Sequence, residues 1–178
     1  MRRIWMAGVV TGLVTCGAAM GQTQAVTATG PASEVQRSYA ALKGNILKSA
    51  DKMPAGDYQF KPTPDVRTFA RVVNHISEAQ LRSCGAANHT GATEMAKVPA
   101  ETADKATVVE ALKASFTECD KAYAALTDAN MTETLDAFGA KRSRIGLMWG
   151  NVAHDNEQYA TLALYLRLKG LAPPSSEK

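Results

Sequence analysis

The stretch IGLMWGNVAHDNEQYATLALYL, residues 145–166, carries the clearest helical pattern in the chain. Its apolar side chains recur in steps of three, four or seven residues, at Ile145, Met148, Val152, Tyr159, Leu162 and Leu166. Such steps place the side chains on one side of an α-helix, as in the seam of a helical bundle, and Asp155 is the one polar break. Gly170, followed by Pro173 and Pro174, is a signal that stops the helix.

Three earlier segments repeat this spacing, and each begins beside a residue that can cap a helix. The predicted helices cover about residues 34–52, 69–87 and 108–127. The capping residues are Ser33 with Gln36, Thr68, and Thr107 with Glu110. Polar or proline-containing connections separate the helices, and the last is expected to hold a short helical turn at residues 132–138. No stretch alternates as a strand, so the sequence predicts an all-α protein, a single four-helix bundle.

Residues 1–21, MRRIWMAGVVTGLVTCGAAMG, have the layout of a secretory signal peptide: two arginines, an apolar run, and small residues before the cleavage site. Three glycines interrupt the apolar run and no charged flank follows it, so we expect cleavage and no stable membrane span. The alternative, lipoprotein processing at Cys16, is disfavoured because Thr15 is a poor residue before such a cysteine. The mature protein is therefore expected in the periplasm or outside the cell.

The rest of the chain divides into a disordered tether at residues 22–32, the bundle at residues 33–172 and a flexible tail at residues 173–178. Cleavage leaves 157 of the 178 residues, enough for one domain with its own core. It removes two of the 20 basic residues and none of the 17 acidic ones, which leaves 18 positively charged and 17 negatively charged side chains. A nearly neutral protein lacks the concentrated positive charge of a nucleic-acid binder, and we expect no nucleic-acid partner.

Three segments resemble the DinB-like family, and specifically its exported branch: KMPAGDYQFKPTPDVRTFARVVNHISEA at residues 52–79, AHDNEQYATLALYLRLKG at residues 153–170, and LAPPSS after them. The resemblance implies a four-helix bundle in up-down-down-up order. It also implies, for many members, a divalent metal held by one histidine on the second helix and an HxxxH pair on the fourth. Those positions are His75, His154 and Gln158 in this sequence, so the third histidine is replaced. Characterised relatives include thiol-dependent transferases and isomerases. We therefore expect a metal-dependent hydrolase or a thiol-dependent transferase, with an unknown small molecule as substrate.

The candidate metal ligands fall short of a full set. Imidazoles on converging helices suit zinc, nickel or iron, but the Gln158 amide oxygen is a weak ligand for those metals. Glu78 and Glu157 each follow a histidine by three residues and so share a helix side with it. Either carboxylate could complete a site with two histidines and one carboxylate, which would favour iron or manganese.

The alternative is a metal-free polar cluster in a protein that binds a small molecule or has a structural role. A polar stripe runs beside the apolar seam and consists of Asn151, His154, Gln158, Thr161 and Tyr165. This stripe could hydrogen-bond across the bundle to the segment NHISE, residues 74–78. The expected pocket residues are Asn74, Asn151 and Tyr165. His89, in a polar connection, is predicted to be an exposed loop residue.

Cys84 and Cys119 are the two cysteines that remain after export. If the second and third helices run parallel, as the resemblance implies, both sulfurs lie at similar heights, about 24 Å and 18 Å from the helix starts at ~1.5 Å per residue. We therefore predict a structural disulfide; the alternative is two small buried thiols. The basic segment AKRSRIG, residues 140–146, could attract an anion but is interpreted as a solvated linker. The sequence does not decide the oligomeric state, and a homodimer formed through an exposed helix face is one possibility.

Overall fold

The computed structural model describes residues 29–91 and 94–177, so the predicted signal peptide lies outside the described residues. The described part holds four α-helices and one hairpin of two strands. The elements are α1 (Pro31–Lys52), α2 (Phe69–Asn88), α3 (Lys105–Ala124), β1 (Thr134–Ala137), β2 (Ala140–Ser143) and α4 (Arg144–Leu168). None of the helices in these two ranges has the length and apolar composition needed to cross a bilayer.

α2 and α3 run parallel, and a disulfide joins them. The Ser115 hydroxyl donates to the Gln80 side-chain oxygen at 2.6 Å. One turn further along both helices, Cys84 and Cys119 form the predicted disulfide, with their Cα atoms 4.9 Å apart. Both cysteines are fully buried. The contacting residues move toward the carboxyl end on both helices at once, from Gln80 and Ser115 to Cys84 and Cys119. The two helices are therefore parallel.

The other two helices run opposite to this pair. Arg144, at the start of α4, donates from Nη1 to the carbonyl oxygen of Ala87 at the end of α2, at 3.0 Å. Lys105, at the start of α3, donates to the carbonyl oxygen of Met53 just beyond α1, at 2.9 Å. α1 and α4 are therefore antiparallel to α2 and α3, which gives the up-down-down-up order implied by the resemblance.

The core lies where the apolar stripes of the four helices meet. Fully buried members include Ile46, Phe69, Ile76, Leu112, Phe116, Met148, Leu162 and Leu166. Tyr39 of α1 stacks on Tyr123 of α3 with ring centroids 3.8 Å apart. The helical periodicity read from the sequence is thus confirmed on all four helices.

The predicted helix caps are correct at α2 and wrong at α3. Thr68 caps α2, since its hydroxyl accepts from the backbone N–H of Arg71. α3 is capped by Asp104, whose carboxylate accepts from the backbone N–H of Thr107 at 2.9 Å and from its hydroxyl at 2.9 Å. Thr107 is therefore a donor within the first turn of the helix. An aspartate three residues earlier offers the stronger acceptor for that N–H group.

The predicted capping box at the start of α1 is also wrong. The helix begins at Pro31, inside the segment interpreted as a disordered tether. Ser33 donates to the carbonyl oxygen of Gly30 and caps nothing. The backbone N–H of Ala32 instead donates to Asp128 Oδ1 at 2.9 Å. A carboxylate from the loop after α3 thus satisfies this helix end.

The segment predicted as a helical turn at residues 132–138 is part of a β-hairpin, which corrects the prediction of a purely all-α protein. β1 and β2 pair antiparallel, with Thr134 opposite Ser143. Phe138 and Gly139 join them with φ values of 55° and 74°, and two positive φ values match the twist of a two-residue hairpin turn. Strands of four residues are too short to show convincing alternation in sequence.

The chain after α4 is packed on the bundle through residue 177, so the predicted flexible tail is wrong for this part. Pro174 is buried in a short 3₁₀ turn, Pro174–Ser176. The Tyr159 hydroxyl donates to Ser175 Oγ at 2.7 Å. Glu177 forms an ion pair with Lys52 at the end of α1. Side-chain contacts to α1 and α4 therefore hold the segment in place.

Candidate functional site

The antiparallel pairing of α2 and α4 brings His75 and His154 into direct contact. Their Nε2 atoms are 3.2 Å apart, and the rings meet edge to face with centroids 5.0 Å apart. At this distance one nitrogen must carry a hydrogen and the other must offer a lone pair. The imidazole pair therefore presents one donor and one acceptor at a single place, where the sequence predicted two converging histidines.

The outer nitrogen of His75 faces a carboxylate on its own helix. His75 Nδ1 lies 3.7 Å from Glu78 Oε2. Arg71 holds that carboxylate through two hydrogen bonds of 3.0 Å. Burial foremost, and then the positive charges of Arg67, His154 and Arg71, lowers the pKa of His75. The ring is therefore neutral near pH 7, which leaves it a lone pair to share.

The outer nitrogen of His154 faces a buried carboxylate that the sequence showed only as a break in the apolar seam. His154 Nδ1 lies 3.6 Å from Asp155 Oδ1, and neither atom has a hydrogen-bond partner among the described residues. The other oxygen of Asp155 accepts from Gln80 Nε2 at 3.0 Å. Burial raises the pKa of Asp155. A buried carboxylate is costly without a partner, so this residue is better explained by the site than by stability.

A cavity of about 320 Å³ opens beside the imidazole pair, between α2, α4 and the hairpin. Its wall includes both histidines, Asn151, and three residues that sequence reasoning did not assign to a site: Arg82, Phe138 and Arg142. Arg142 belongs to the basic segment interpreted as a solvated linker; it is exposed, but it lies in β2 and also lines this cavity. The one available signal was the positive charge of the segment.

The remaining predicted site residues lie elsewhere. Gln158, Glu157 and Tyr165 line a separate groove beside the loop that precedes α2. Among the described residues, the Gln158 amide makes no hydrogen bond with either imidazole. Asn74 is buried and donates to a backbone carbonyl oxygen of the loop before α3 at 2.9 Å. Of the three expected pocket residues, the structure places only Asn151 in the cavity.

His89 ends α2 in a left-handed conformation, with φ of 57°. It is exposed, as predicted. It makes no contact with the imidazole pair among the described residues, and it therefore belongs to no candidate ligand set.

The residues present supply two metal ligands but not a complete set. Two imidazole nitrogens bound to one tetrahedral zinc ion lie roughly 3.3 Å apart, given bonds of about 2.0–2.1 Å, so the spacing of the pair suits an ion. Glu78 faces the outer nitrogen of His75 and is held by Arg71, while Glu157 lines the other groove. Within residues 29–91 and 94–177, no three His, Cys, Asp or Glu side chains are arranged to hold a metal.

Comparison with known proteins gives consistent matches of sequence and fold. A sequence profile described as the DinB superfamily matches residues 39–162, more than half of the chain. No curated protein matches the sequence. The solved structures that match the fold include three crystal structures with a TM-score of 0.62 each.

The first of these structures is a DinB-like protein from Bacillus cereus, with 18% identity, covering 79% of this chain and 93% of that one. The second is a DinB-like protein from Bacillus subtilis, with 17% identity and coverage of 77% and 92%. The third is a conserved protein from Enterococcus faecalis, with 13% identity and coverage of 79% and 98%. At such identities the likeness shows the fold alone.

Proposed function

Because this chain belongs to the DinB superfamily, we propose that it is an exported helical bundle whose cavity binds a small molecule against the paired imidazoles of His75 and His154. The observation that carries the proposal is the 3.2 Å contact of the two Nε2 atoms in the wall of a cavity of about 320 Å³. Cavities of this size suit small ligands, and ligand sites commonly combine apolar walls with a few polar groups.

Two features support export. The first 21 residues have the composition of a secretory signal peptide, and they lie outside the described part of the structure. The disulfide between Cys84 and Cys119 joins two fully buried side chains, and such bonds persist in oxidising compartments. Both features agree with a protein that works outside the cytoplasm.

The chemistry open to the pair follows from its protonation. His75 is neutral near pH 7, so the pair offers one N–H donor and one lone pair. A bound molecule with a hydroxyl, thiol or carbonyl group could replace the contact between the rings and bond to both nitrogens. Glu78 and Asp155 face the outer nitrogens, where carboxylates can fix the orientation and tautomer of each ring. The pair is thus built to bind a polar group and to accept or return a proton.

A fragment screen by NMR tests this proposal. We expect bound fragments to perturb the imidazole resonances of His75 and His154, and to lose affinity in His75→Gln and His154→Gln. The exposed His89 provides the matched control, since His89→Gln should bind the same fragments as the natural protein. Fragments that bind only at other surfaces, or that bind equally well to both imidazole variants, would refute the proposal.

A second candidate is favoured by the spacing of the Nε2 atoms, which suits two ligands on one divalent ion. In this case the missing ligand would come from a bound molecule, or from Gln158 if its side chain turned out of the separate groove, and the hydrolase or transferase activity implied by the resemblance would apply. Metal analysis of periplasmic protein, purified without a chelating tag, should then show zinc, nickel, iron or manganese that is lost in His75→Ala.

A gain-of-ligand variant sharpens the metal test. Gln158→His adds an imidazole one turn after His154 and should raise zinc affinity at least tenfold if Gln158 occupies a ligand position. Asn156→His is the control, because Asn156 is exposed toward α1. Equal zinc affinity in the two variants, together with metal-free natural protein, would exclude the second candidate and leave the first one intact.

A further inference from the structure

The mouth of the cavity carries two arginines that both lie against one aromatic ring. Arg82 projects from α2 and Arg142 from β2, and both are exposed. Their guanidinium carbons lie 5.1 Å and 5.9 Å from the centroid of the Phe138 ring. The three side chains form a rim that combines two positive charges with one apolar ring.

This positive charge is not neutralised by the protein. No aspartate or glutamate lines the cavity, and neither rim arginine forms an ion pair with a carboxylate of the described residues. Glu78, one turn before Arg82, is the nearest acid along α2, but it is bound through both oxygens by Arg71. Arg144, two residues after Arg142, is paired with Glu133 at 2.7 Å. The two rim guanidinium groups therefore keep their charge for a ligand.

A buried amide also forms part of the cavity wall. Asn151 lines the cavity and is 2% exposed. Its oxygen accepts from the Tyr123 hydroxyl at 2.9 Å. Its Nδ2 has no hydrogen-bond partner among the described residues and is too deeply buried to be reached from the cavity. Asn151 therefore shapes the wall, and the polar contacts to a ligand must come from other side chains.

One wall of the cavity leaves space for an apolar body. Gly150 lies on α4 one turn before His154, and a Cβ atom built on it would meet nothing within 4 Å. Leu147 on the same helix adds an apolar side chain to the wall. A flat group could therefore lie along the bare helix surface between the Phe138 ring and the imidazole pair.

From these features we infer that the cavity binds a small organic oxyanion, a carboxylate or phosphate group attached to an apolar body. The oxyanion binds Arg82 and Arg142, whose planar guanidinium groups match both anions. The apolar body contacts Phe138 and the surface at Gly150, and its far end reaches the imidazole pair. The inference rests on the proposed function, because it names the ligand class of the same cavity.

Calorimetry with the mature protein, dialysed against a chelator, tests this inference without any contribution from metal. The probes are benzoate and phenyl phosphate, with benzamide as the neutral counterpart of benzoate and inorganic phosphate as the anion without an apolar body. We expect at least one of the two organic anions to bind at least tenfold more tightly than benzamide and inorganic phosphate. Which of the two binds more tightly distinguishes a carboxylate site from a phosphate-ester site.

The variants assign the affinity to the rim. Arg82→Gln and Arg142→Gln should each weaken binding about tenfold, because a charge-assisted hydrogen bond is lost. Arg82→Lys, which keeps the charge, should retain part of the affinity. Arg167→Gln is the matched control: Arg167 is an exposed arginine near the end of α4 and lies outside the cavity. Gly150→Ala adds a methyl group to open space and should weaken binding without loss of thermal stability.

Three results would overturn the inference: equal binding of benzoate and benzamide, equal binding of inorganic phosphate and the organic anions, or unchanged affinity in both rim variants that still unfold cooperatively. Its failure is distinct from failure of the proposed function. If neutral fragments bind and depend on His75, the imidazole site stands and the ligand class is wrong. If organic anions bind through the arginines and ignore His75→Gln and His154→Gln, the ligand class stands and the imidazole role is wrong.

Discussion

Removal of the disulfide between Cys84 and Cys119 gives the most direct test of how this bundle is stabilised. The bond joins residues 35 apart in sequence. In the chain-entropy description, a closed loop of about 35 residues lowers the entropy of the unfolded chain by roughly 13 cal/mol/K, which is about 3.8 kcal/mol at 25 °C. A double variant, Cys84→Ala with Cys119→Ala, should lose about that much of its free energy of unfolding.

The assay is urea unfolding of the purified protein at pH 7, followed by circular dichroism. The midpoint should fall, and the slope m should rise, because the unfolded chain without the crosslink exposes more surface. For a domain of this size the thermal midpoint should fall by roughly 8–15 °C. The oxidised and reduced forms of the natural protein provide the control, since reduction removes the crosslink without removing the sulfur atoms.

A loss below about 1 kcal/mol, with an unchanged slope, would refute this reasoning. It would mean either that the unfolded chain already holds these segments together or that the thiols are not bonded in the isolated protein. Intact mass after alkylation without reductant separates the two explanations, because only free thiols are labelled. Two labelled cysteines would also remove one of the two supports for export.

Three further predictions concern the core, a helix cap and the hairpin. Leu162→Ala should lower the free energy of unfolding by about 2–5 kcal/mol, because Leu162 is fully buried and its removal leaves a cavity; urea unfolding measures the loss, and the exposed Leu164 provides the control. The hydrogen bond from the backbone N–H of Thr107 lowers the pKa of Asp104, so Asp104→Ala should destabilise the protein at pH 7. The difference in stability between the two proteins should shrink as the pH falls below about 3.8 and the Asp104 carboxylate becomes protonated in the folded protein. Urea unfolding across this pH range measures that difference. A difference that does not change with pH would mean that the cap is uncharged. Gly139→Ala should cost about 1 kcal/mol in thermal unfolding, since φ is 74° and a Cβ atom would meet nothing within 4 Å; a negligible loss would mean that the turn rearranges.

The elements predicted well are those whose signal is repeated along one segment. Four apolar stripes predicted four helices, and Thr68 was recognised as a cap because its partner, Arg71, lies three residues away. Two further predictions, the contact of His75 with His154 and the disulfide, also required the order of the helices. That order came from the resemblance, because helical periodicity says nothing about which helices run parallel.

The incorrect predictions concern contacts made by residues distant in sequence or patterns that are very short. Ser33 looked like a cap for α1, but Asp128 satisfies that helix end across 96 residues of chain. The hairpin strands have four residues each, and two positive φ values at Phe138 and Gly139 decide the turn. No periodic pattern encodes either feature.

The amino-acid sequence alone determined where the helices lie and which of their sides are apolar, because both depend on the identity and spacing of neighbouring residues. Only the tertiary structure decided that Arg82, Arg142 and Phe138 surround one cavity, and that Gln158 lies in another groove. The reason is geometric: the first two residues are 60 positions apart in the chain and meet because the hairpin folds against α2. Charge and shape at a site depend on that packing, whereas periodicity within a helix does not.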